Sequence, residues 1–154
     1  MKVDTWKNGS HSLSTDKSKL QIDRIHQFLS TEAYWSLDIP KEIVNCAIEG
    51  SLCIGLYENE LQIGFARVVT DHATFAWICD VYVESKFRGK GLSKWMMECV
   101  MSHSSLKGLR RICLATKDAH KLYEKSGFEI TKTPQYWMEI KNADIYKKMR
   151  QNET

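Results

Sequence analysis

The sequence predicts an α/β (α+β) domain: a mixed, mostly antiparallel sheet with one parallel β-α-β pair, flanked by helices. Three observations carry this. Residues 52–83 hold three successive strand-type runs separated only by short polar breaks, the pattern of an antiparallel meander. The third run opens into a helix with a strong apolar stripe, and a short buried run follows at 111–115, so two strands enclose a helix and must run parallel. Two helical patterns precede the strands, and others follow them.

Taken in order, Asp16 is placed to cap a first helix, with Leu20, Ile22, Ile25, Phe28 and Leu29 at helical spacing. A second helix begins near Pro40, carries Ile43, Val44, Ala47 and Ile48, and stops at Gly50. Strands at 52–57 and 61–70 join across Glu58-Asn59-Glu60 as a hairpin, and an Asp71-His72 turn leads to a third at 74–83. Residues 91–102 form a helix whose apolar face is Leu92, Trp95, Met96, Cys99 and Val100. After a turn at 106–109 comes the strand at 111–115, then a helix at 118–126 closed by Gly127. Final strands are expected at 128–131 and 136–140, on either side of Pro134. The tail, with Ile145, Tyr146 and Met149, reads as a helix that frays.

The chain has 154 residues, room for a single domain over 1–154, with a core at 14–141 and a C-terminal tail at 142–154. A hydrophobic share of 43% against 27% charged residues suits a globular core and excludes a disordered class. Uncharged apolar runs fall far short of the roughly 20 residues that cross a membrane, so no membrane partner is expected. The polar start, 1–14, lacks the apolar centre of a secretion signal, and a cytoplasmic location is the expectation. Five cysteines form no CxxC pair and five histidines lie far apart, which argues against a disulfide framework and against a metal site. The net charge of +3 is modest. Basic residues cluster at 86–94 and 107–111, a placement that fits a phosphorylated small ligand at least as well as a nucleic acid.

The segment Val81-Tyr82-Val83-Glu84-Ser85-Lys86-Phe87-Arg88-Gly89-Lys90-Gly91-Leu92-Ser93 carries most of the chemical information. A strand ends in a basic, glycine-containing loop that opens directly into a helix. Unpaired N–H groups and the positive dipole end make such a helix start an anion site, and glycines let a phosphate approach the backbone. A Walker loop is excluded because Lys90-Gly91-Leu92 has the wrong order, and a dinucleotide fingerprint because Lys94 stands where its third glycine belongs. Taken alone, 88–91 is also compatible with a charged loop that binds nothing.

At this point the sequence resembles the GNAT superfamily of acetyl-coenzyme A-dependent N-acetyltransferases. The run Val83-x4-Arg88-Gly89-x-Gly91-x-Ser93 is similar to the family's central motif. Within it Lys86-Phe87-Arg88-Gly89-Lys90-Gly91 falls on the pyrophosphate signature, with Lys86 in place of the usual glutamine or arginine. Downstream, Ala119-x-x-Leu122-Tyr123-Glu124-Lys125-x-Gly127-Phe128 is similar to the family's last-helix signature. The resemblance covers about residues 52–140, and two spaced motifs are far more specific than one.

The resemblance implies acetyl-coenzyme A as acetyl donor. The backbone at Val81, Tyr82 and Val83 would pair with pantetheine like an added strand. Backbone N–H groups of Arg88, Gly89, Lys90, Gly91, Leu92 and Ser93 would hold the pyrophosphate. Tyr123 would protonate the leaving thiolate, and a neutral amine of a small-molecule or peptide acceptor would attack the thioester directly. Thr116 stands where the family commonly has asparagine, and its hydroxyl is a weaker candidate for a cofactor contact. Family members commonly form homodimers.

Asp80, a carboxylate within an apolar strand, needs a partner or a purpose. It reads equally as a general base or amine-binding group and as a structural acid paired with Arg67. By strand alternation Asp80 should share a face with Ile78 and Tyr82, opposite Trp77, Cys79 and Val81. Arg67 is either part of that buried pair or a substrate contact. Tyr34 and Trp35 end the first helix, where this fold places the acceptor lip, and Tyr136 and Trp137 could line the same cleft. For all four the ordinary alternative is packing. Two other function classes compete: a non-catalytic acyl-coenzyme A sensor, which would not need Tyr123, and a basic nucleic-acid binder using Lys107, Arg110, Arg111, Lys147, Lys148 and Arg150. The second ranks last, because those charges lie in separate turns and tails.

Overall fold

The computed structural model of the chain describes residues 1–152. Six strands, β1 (Thr5–Asn8), β2 (His11–Ser14), β3 (Leu52–Glu58), β4 (Leu61–Thr70), β5 (Phe75–Val83) and β6 (Arg111–Leu114), form one sheet in sequence order. All neighbours are antiparallel except β5 and β6, which run parallel as the β-α-β pattern requires. The helices are α1 (Ile22–Thr31), α2 (Lys41–Glu49), α3 (Leu92–Ser102), α4 (His120–Glu124) and α5 (Ile145–Asn152). No helix among the described residues is long and apolar enough to cross a membrane.

Each face of the sheet buries its own helices. α3 lays Leu92, Met96, Met97 and Val100 on Ile54, Leu56, Ile63, Val68, Ile78 and Val83. On the other face α1 and α2 bring Ile25, Phe28, Leu29, Val44 and Ile48 against Cys53, Phe65 and Tyr82. There the Phe28 and Tyr82 rings stack with centroids 3.7 Å apart. Burying one such side chain contributes about 1.5–3 kcal/mol, so these two layers hold the sheet between them.

Four features depart from the sequence reading. Asp16 does not cap α1: its Oδ1 accepts from the Ser18 N–H and closes a single 3-10 turn, Lys17–Lys19, while α1 starts six residues later at Ile22. The hairpin β1–β2 was not anticipated. Its signal is Gly9-Ser10, the two-residue loop between Asn8 and His11, with Gly9 at φ 61°. α4 is shorter than expected, five residues rather than nine. Residues 128–131 and 136–140 form no strands; a 3-10 turn at Pro134–Tyr136 is all that is regular there, and β6 remains the last strand. Pattern alone identifies a strand-type segment, but a strand exists only where an edge accepts its hydrogen bonds.

Candidate active site

β5 and β6 pair from Phe75/Arg111 to Ile78/Leu114 and no further. β6 ends there while β5 continues to Val83, so the sheet splits and β5 shows a bare edge over its last five residues. The Glu84 N–H donates to Ile63 O at 2.8 Å, and Tyr82 lies opposite Phe65, which turns the backbone of those residues toward β4. Val81 and Val83, one step out of phase, turn theirs into the split. The Val83 carbonyl already accepts from Arg88 Nε at 2.8 Å.

Below the split the chain makes a 3-10 turn, Ser85–Phe87, and enters α3. Gly89 at φ 83° and Gly91 at φ 75° hold left-handed backbone that other residues adopt only at a cost. Gly91 is the helix N-cap and offers no side chain to it; the Trp95 N–H is the first to find a helical carbonyl, Gly91 O, at 3.1 Å. The N–H groups of Leu92, Ser93 and Lys94 therefore emerge with the positive end of the helix dipole, flanked by Arg88 and Lys90. The loop is anchored from behind: Arg24 on α1 grips Glu84 at 2.5 Å and donates through Nε to Gln62 O at 2.9 Å. The Lys94 N–H, one residue past the run singled out from the sequence, belongs to the same first turn.

Tyr123 on α4 stands beside the split. Its ring meets Phe128 edge-on with centroids 6.1 Å apart, and it lines a cavity of about 500 Å³ with Trp77, Cys113 and Thr116. Burial, with smaller contributions from Tyr34, Asp118 and Cys79, pushes its phenol up to about 12. Thr116 Oγ1 accepts from the Ala119 N–H at 3.0 Å, so the hydroxyl first of all shapes the entry to α4.

Asp80 sits at φ 50° in a bulge of β5. Arg67 pairs with Cys79 and Phe65 with Tyr82, which leaves one more residue on β5 than on β4 between those points. The extra residue reverses the alternation. Ile78 and Val83 belong to the α3 core and Tyr82 to the α1–α2 core, so the expected common face for Ile78, Asp80 and Tyr82 does not exist. Instead Asp80 joins Arg67, Trp77 and Cys79 around a second cavity of about 230 Å³ on the α1–α2 side.

The Asp80 carboxylate is held from two directions. Arg67 Nε donates to Oδ2 at 2.7 Å, and Trp35 Nε1 donates to Oδ1 at 2.8 Å. Arg67 also donates from Nη1 to Ser51 Oγ at 3.0 Å. Burial opposes the Arg67 charge, but Asp80 outweighs it and moves its pKa upward. The pairing with Arg67 is thus present, and the carboxylate still faces a cavity. Burial pushes the thiol of neighbouring Cys79 up to about 12, which disfavours its thiolate.

Tyr34 and Trp35 lie in the loop past the end of α1, not at its last turn, and Trp35 lines the smaller cavity. Their rings meet edge-on at 5.0 Å. The Lys117 N–H donates to Tyr34 Oη at 3.1 Å, so this loop ties β5, through Asp80, to the β6–α4 connection. Half-exposed, the two rings form a lip. Trp137 packs on the Arg111 guanidinium at 5.2 Å and lines the larger cavity, while Tyr136 is exposed. Trp77, which sequence reasoning missed, lines both cavities, and no motif marks it. Among the described residues no group of three or more His, Cys, Asp or Glu could hold a metal ion.

Comparison with known proteins shows the family of the chain. The family model described as an acetyltransferase (GNAT) domain matches residues 49–130. An acetyltransferase assigned in Gibberella zeae is 31% identical over 147 residues, covering 81% of this chain and 82% of that protein. A Xanthomonas campestris crystal structure assigned to the GNAT family is 46% identical, covers 88% of this chain and 96% of that one, and superposes with a TM-score of 0.86. A GNAT acetyltransferase from Elizabethkingia anophelis, solved with acetyl-CoA bound, shares the fold at 16% identity and a TM-score of 0.61, covering 88% of this chain and 92% of that one.

Proposed function

This chain belongs to the GNAT acetyltransferases, and we propose that it transfers an acetyl group from acetyl-coenzyme A to a primary amine of a small molecule or peptide. One observation carries the reading: the split between β5 and β6 leaves a bare edge at Val81 and Val83 just ahead of the open start of α3 at Leu92, with Tyr123 packed beside it. An extended amide chain needs such an edge, and a diphosphate needs such a helix start. The residues present fit the coenzyme on both counts. Because Arg88 occupies the Val83 carbonyl, the Val83 N–H and both backbone groups of Val81 are the partners left for pantetheine.

The chemistry of the chain's own groups then follows. The acceptor amine must be neutral to attack, and its nitrogen forms the new C–N bond as the C–S bond breaks. Tyr123 gives its phenolic proton to the leaving sulfur and regains one from solvent. A phenol pushed up to about 12 is fully protonated at neutral pH, which keeps the donor loaded. A carboxylate oxygen has two lone pairs, and Asp80 spends one on each side with Trp35 and Arg67, so each oxygen retains one for an N–H of the amine. Asp80 thereby orients the acceptor and is placed to accept its proton. Tyr34 and Trp35 form the lip over which the acceptor enters, and Arg67 holds Asp80 in position. Five free cysteines suit a reducing cytoplasm.

The test is thiol release from acetyl-coenzyme A with a panel of amines, using Tyr123→Phe as control. Turnover with at least one amine class, strongly reduced in the variant, is expected. No thioester cleavage with any amine at millimolar donor, together with no calorimetric binding of the coenzyme, overturns the reading.

A further inference from the structure

The smaller cavity, about 230 Å³, is the one that Asp80 lines. At roughly 30 Å³ of liquid volume per water-sized group, it holds on the order of eight non-hydrogen atoms. Its wall is mostly apolar. Ile43 and Ala47 on α2, Val69 on β4, Trp77 on β5 and Tyr146 on α5 line it without being fully buried. Of the residues around it only Asp80 and Arg67 carry charge, and they are paired with each other at 2.7 Å. A second charge on an acceptor would meet hydrocarbon there, at a cost no partner offsets. Tyr146 is the side chain of α5 that packs on the α1–α2 core. Further along the helix Arg150 pairs with Asp38, in the loop that also brings Ser36 and Ile39 to the cavity. That pair is exposed and contributes little by itself, so the packing of Tyr146 is the apolar attachment of α5 at this wall.

We propose that this cavity selects a primary monoamine with a compact apolar body of about five to eight carbons, and that Tyr146 sets the length it accepts. The inference rests on the acetyl-transfer reading and narrows its acceptor. The amino group meets Asp80, whose oxygens each keep a lone pair beside the bonds from Trp35 and Arg67. The body lies against the apolar wall, where each methylene withdrawn from water adds roughly fourfold in affinity. A polyamine would press its second ammonium on that wall. An amino acid would bring a carboxylate up to Asp80, while Arg67 is already committed, through Nε to Asp80 and through Nη1 to Ser51 Oγ. Trp77 lines both cavities, so an amine held here borders the cavity of Tyr123. The neutral amine gives up one proton to Asp80 as its nitrogen gains the acetyl carbon; the C–S bond breaks, and the sulfur takes the Tyr123 proton. The amide product keeps the apolar body and is no longer basic, so its hold on Asp80 weakens once the bond has formed.

The test is a series of straight-chain amines from about three to about twelve carbons, assayed at saturating acetyl-coenzyme A. The kcat/KM should rise roughly fourfold per methylene to a maximum at about five to eight carbons and fall beyond it. The five-carbon diamine and norleucine add an ammonium or a carboxylate to pentylamine, and each should be at least about tenfold poorer than pentylamine. Tyr146→Ala should move the optimum to longer amines and Tyr146→Trp to shorter ones, opposed shifts that a folding defect cannot produce. Tyr146→Phe, which keeps the ring, should keep the optimum. Calorimetry of pentylamine and of the diamine reads the same selection without turnover. A kcat/KM flat in chain length, a diamine or norleucine equal to pentylamine, or an optimum indifferent to both Tyr146→Ala and Tyr146→Trp overturns the proposal. Pentylamine that binds about tenfold tighter than the diamine yet is never acetylated supports the selection and overturns the acetyl-transfer reading. Neither selective binding nor turnover overturns both.

Discussion

Trp35 and Asp80 meet through one hydrogen bond, indole N–H to carboxylate at 2.8 Å, across the mouth of the smaller cavity. The bond closes the loop after α1 onto the bulge of β5. It makes the aromatic lip and the acidic group a single unit, with the mostly buried Arg67 as the third member. Trp35→Phe keeps the ring and loses the donor. A rise in KM for the amine of about fivefold to tenfold is expected, at unchanged coenzyme affinity and with about 1 kcal/mol lost in urea unfolding. An unchanged amine KM would detach the lip from the carboxylate.

Asp80→Ala should be far more damaging to stability than Asp80→Asn. Alanine strands the mostly buried Arg67 guanidinium, a loss of about 3–5 kcal/mol. It also replaces a residue type that tolerates left-handed backbone with one that rarely adopts it. Asparagine tolerates that backbone and keeps one acceptor, so its fold should survive while turnover at saturating donor falls at least tenfold. Chemical denaturation and steady-state kinetics of both variants decide this.

Tyr123→Phe should lower kcat by about 10²–10⁴ with coenzyme Kd within twofold of the original. The pH profile gives a second check. The phenol, pushed up by burial to about 12, stays protonated over the working range, so the rate should rise to a plateau as the amine deprotonates, without an alkaline fall below pH 10. The stability sign follows from the same shift. An unfolded tyrosine ionises near about 10, so the folded state binds this proton more tightly. Its contribution is complete below pH 10 and is lost as pH climbs from 10 toward 12. A fall in kcat beginning near pH 8 in the original protein, absent from the phenylalanine variant, would contradict the assignment.

Gly91→Ala places a β-carbon at φ 75°. Nothing lies within 4 Å of that β-carbon, so the cost is conformational alone, about 1 kcal/mol by thermal melting. Any shift of the first turn of α3 moves the Leu92, Ser93 and Lys94 amides, and coenzyme affinity by calorimetry should drop about tenfold or more.

Arg88→Glu removes a cation at the helix start and releases the Val83 carbonyl at once. Coenzyme affinity should fall by more than tenfold, and the salt dependence of the remaining binding should flatten. Arg88→Lys, which keeps charge but cannot reproduce the Nε geometry, should fall between the two. If Arg88→Glu binds coenzyme normally, the loop is not the pyrophosphate cradle.

Much of the scaffold was legible before any coordinates. The meander at 52–83, the helix from Leu92 and the parallel pair with β6 all follow from local period and from the chain-reversal rules. Each of those elements finds its partner close by in sequence. The two glycines of the loop and the tyrosine of α4 were readable for the same reason, because a helix start and a helix face are local objects. Asp16 was misplaced by a handful of residues, since a capping side chain serves a 3-10 turn as readily as an α-helix. The Gly9-Ser10 turn is present in the sequence, but its strands are too short and polar to declare themselves.

By itself, then, the sequence determined the order of elements, the apolar faces that bury them, and the anion-ready loop from Arg88 to Ser93. Only the tertiary structure decided which face Asp80 presents, because a single bulged residue inverts alternation and no composition rule counts it. Only the tertiary structure brought Trp35 and Arg67 onto one carboxylate, and left 136–140 off the sheet. Those outcomes depend on which distant backbone groups find partners, and that is settled by the packed arrangement of the whole chain.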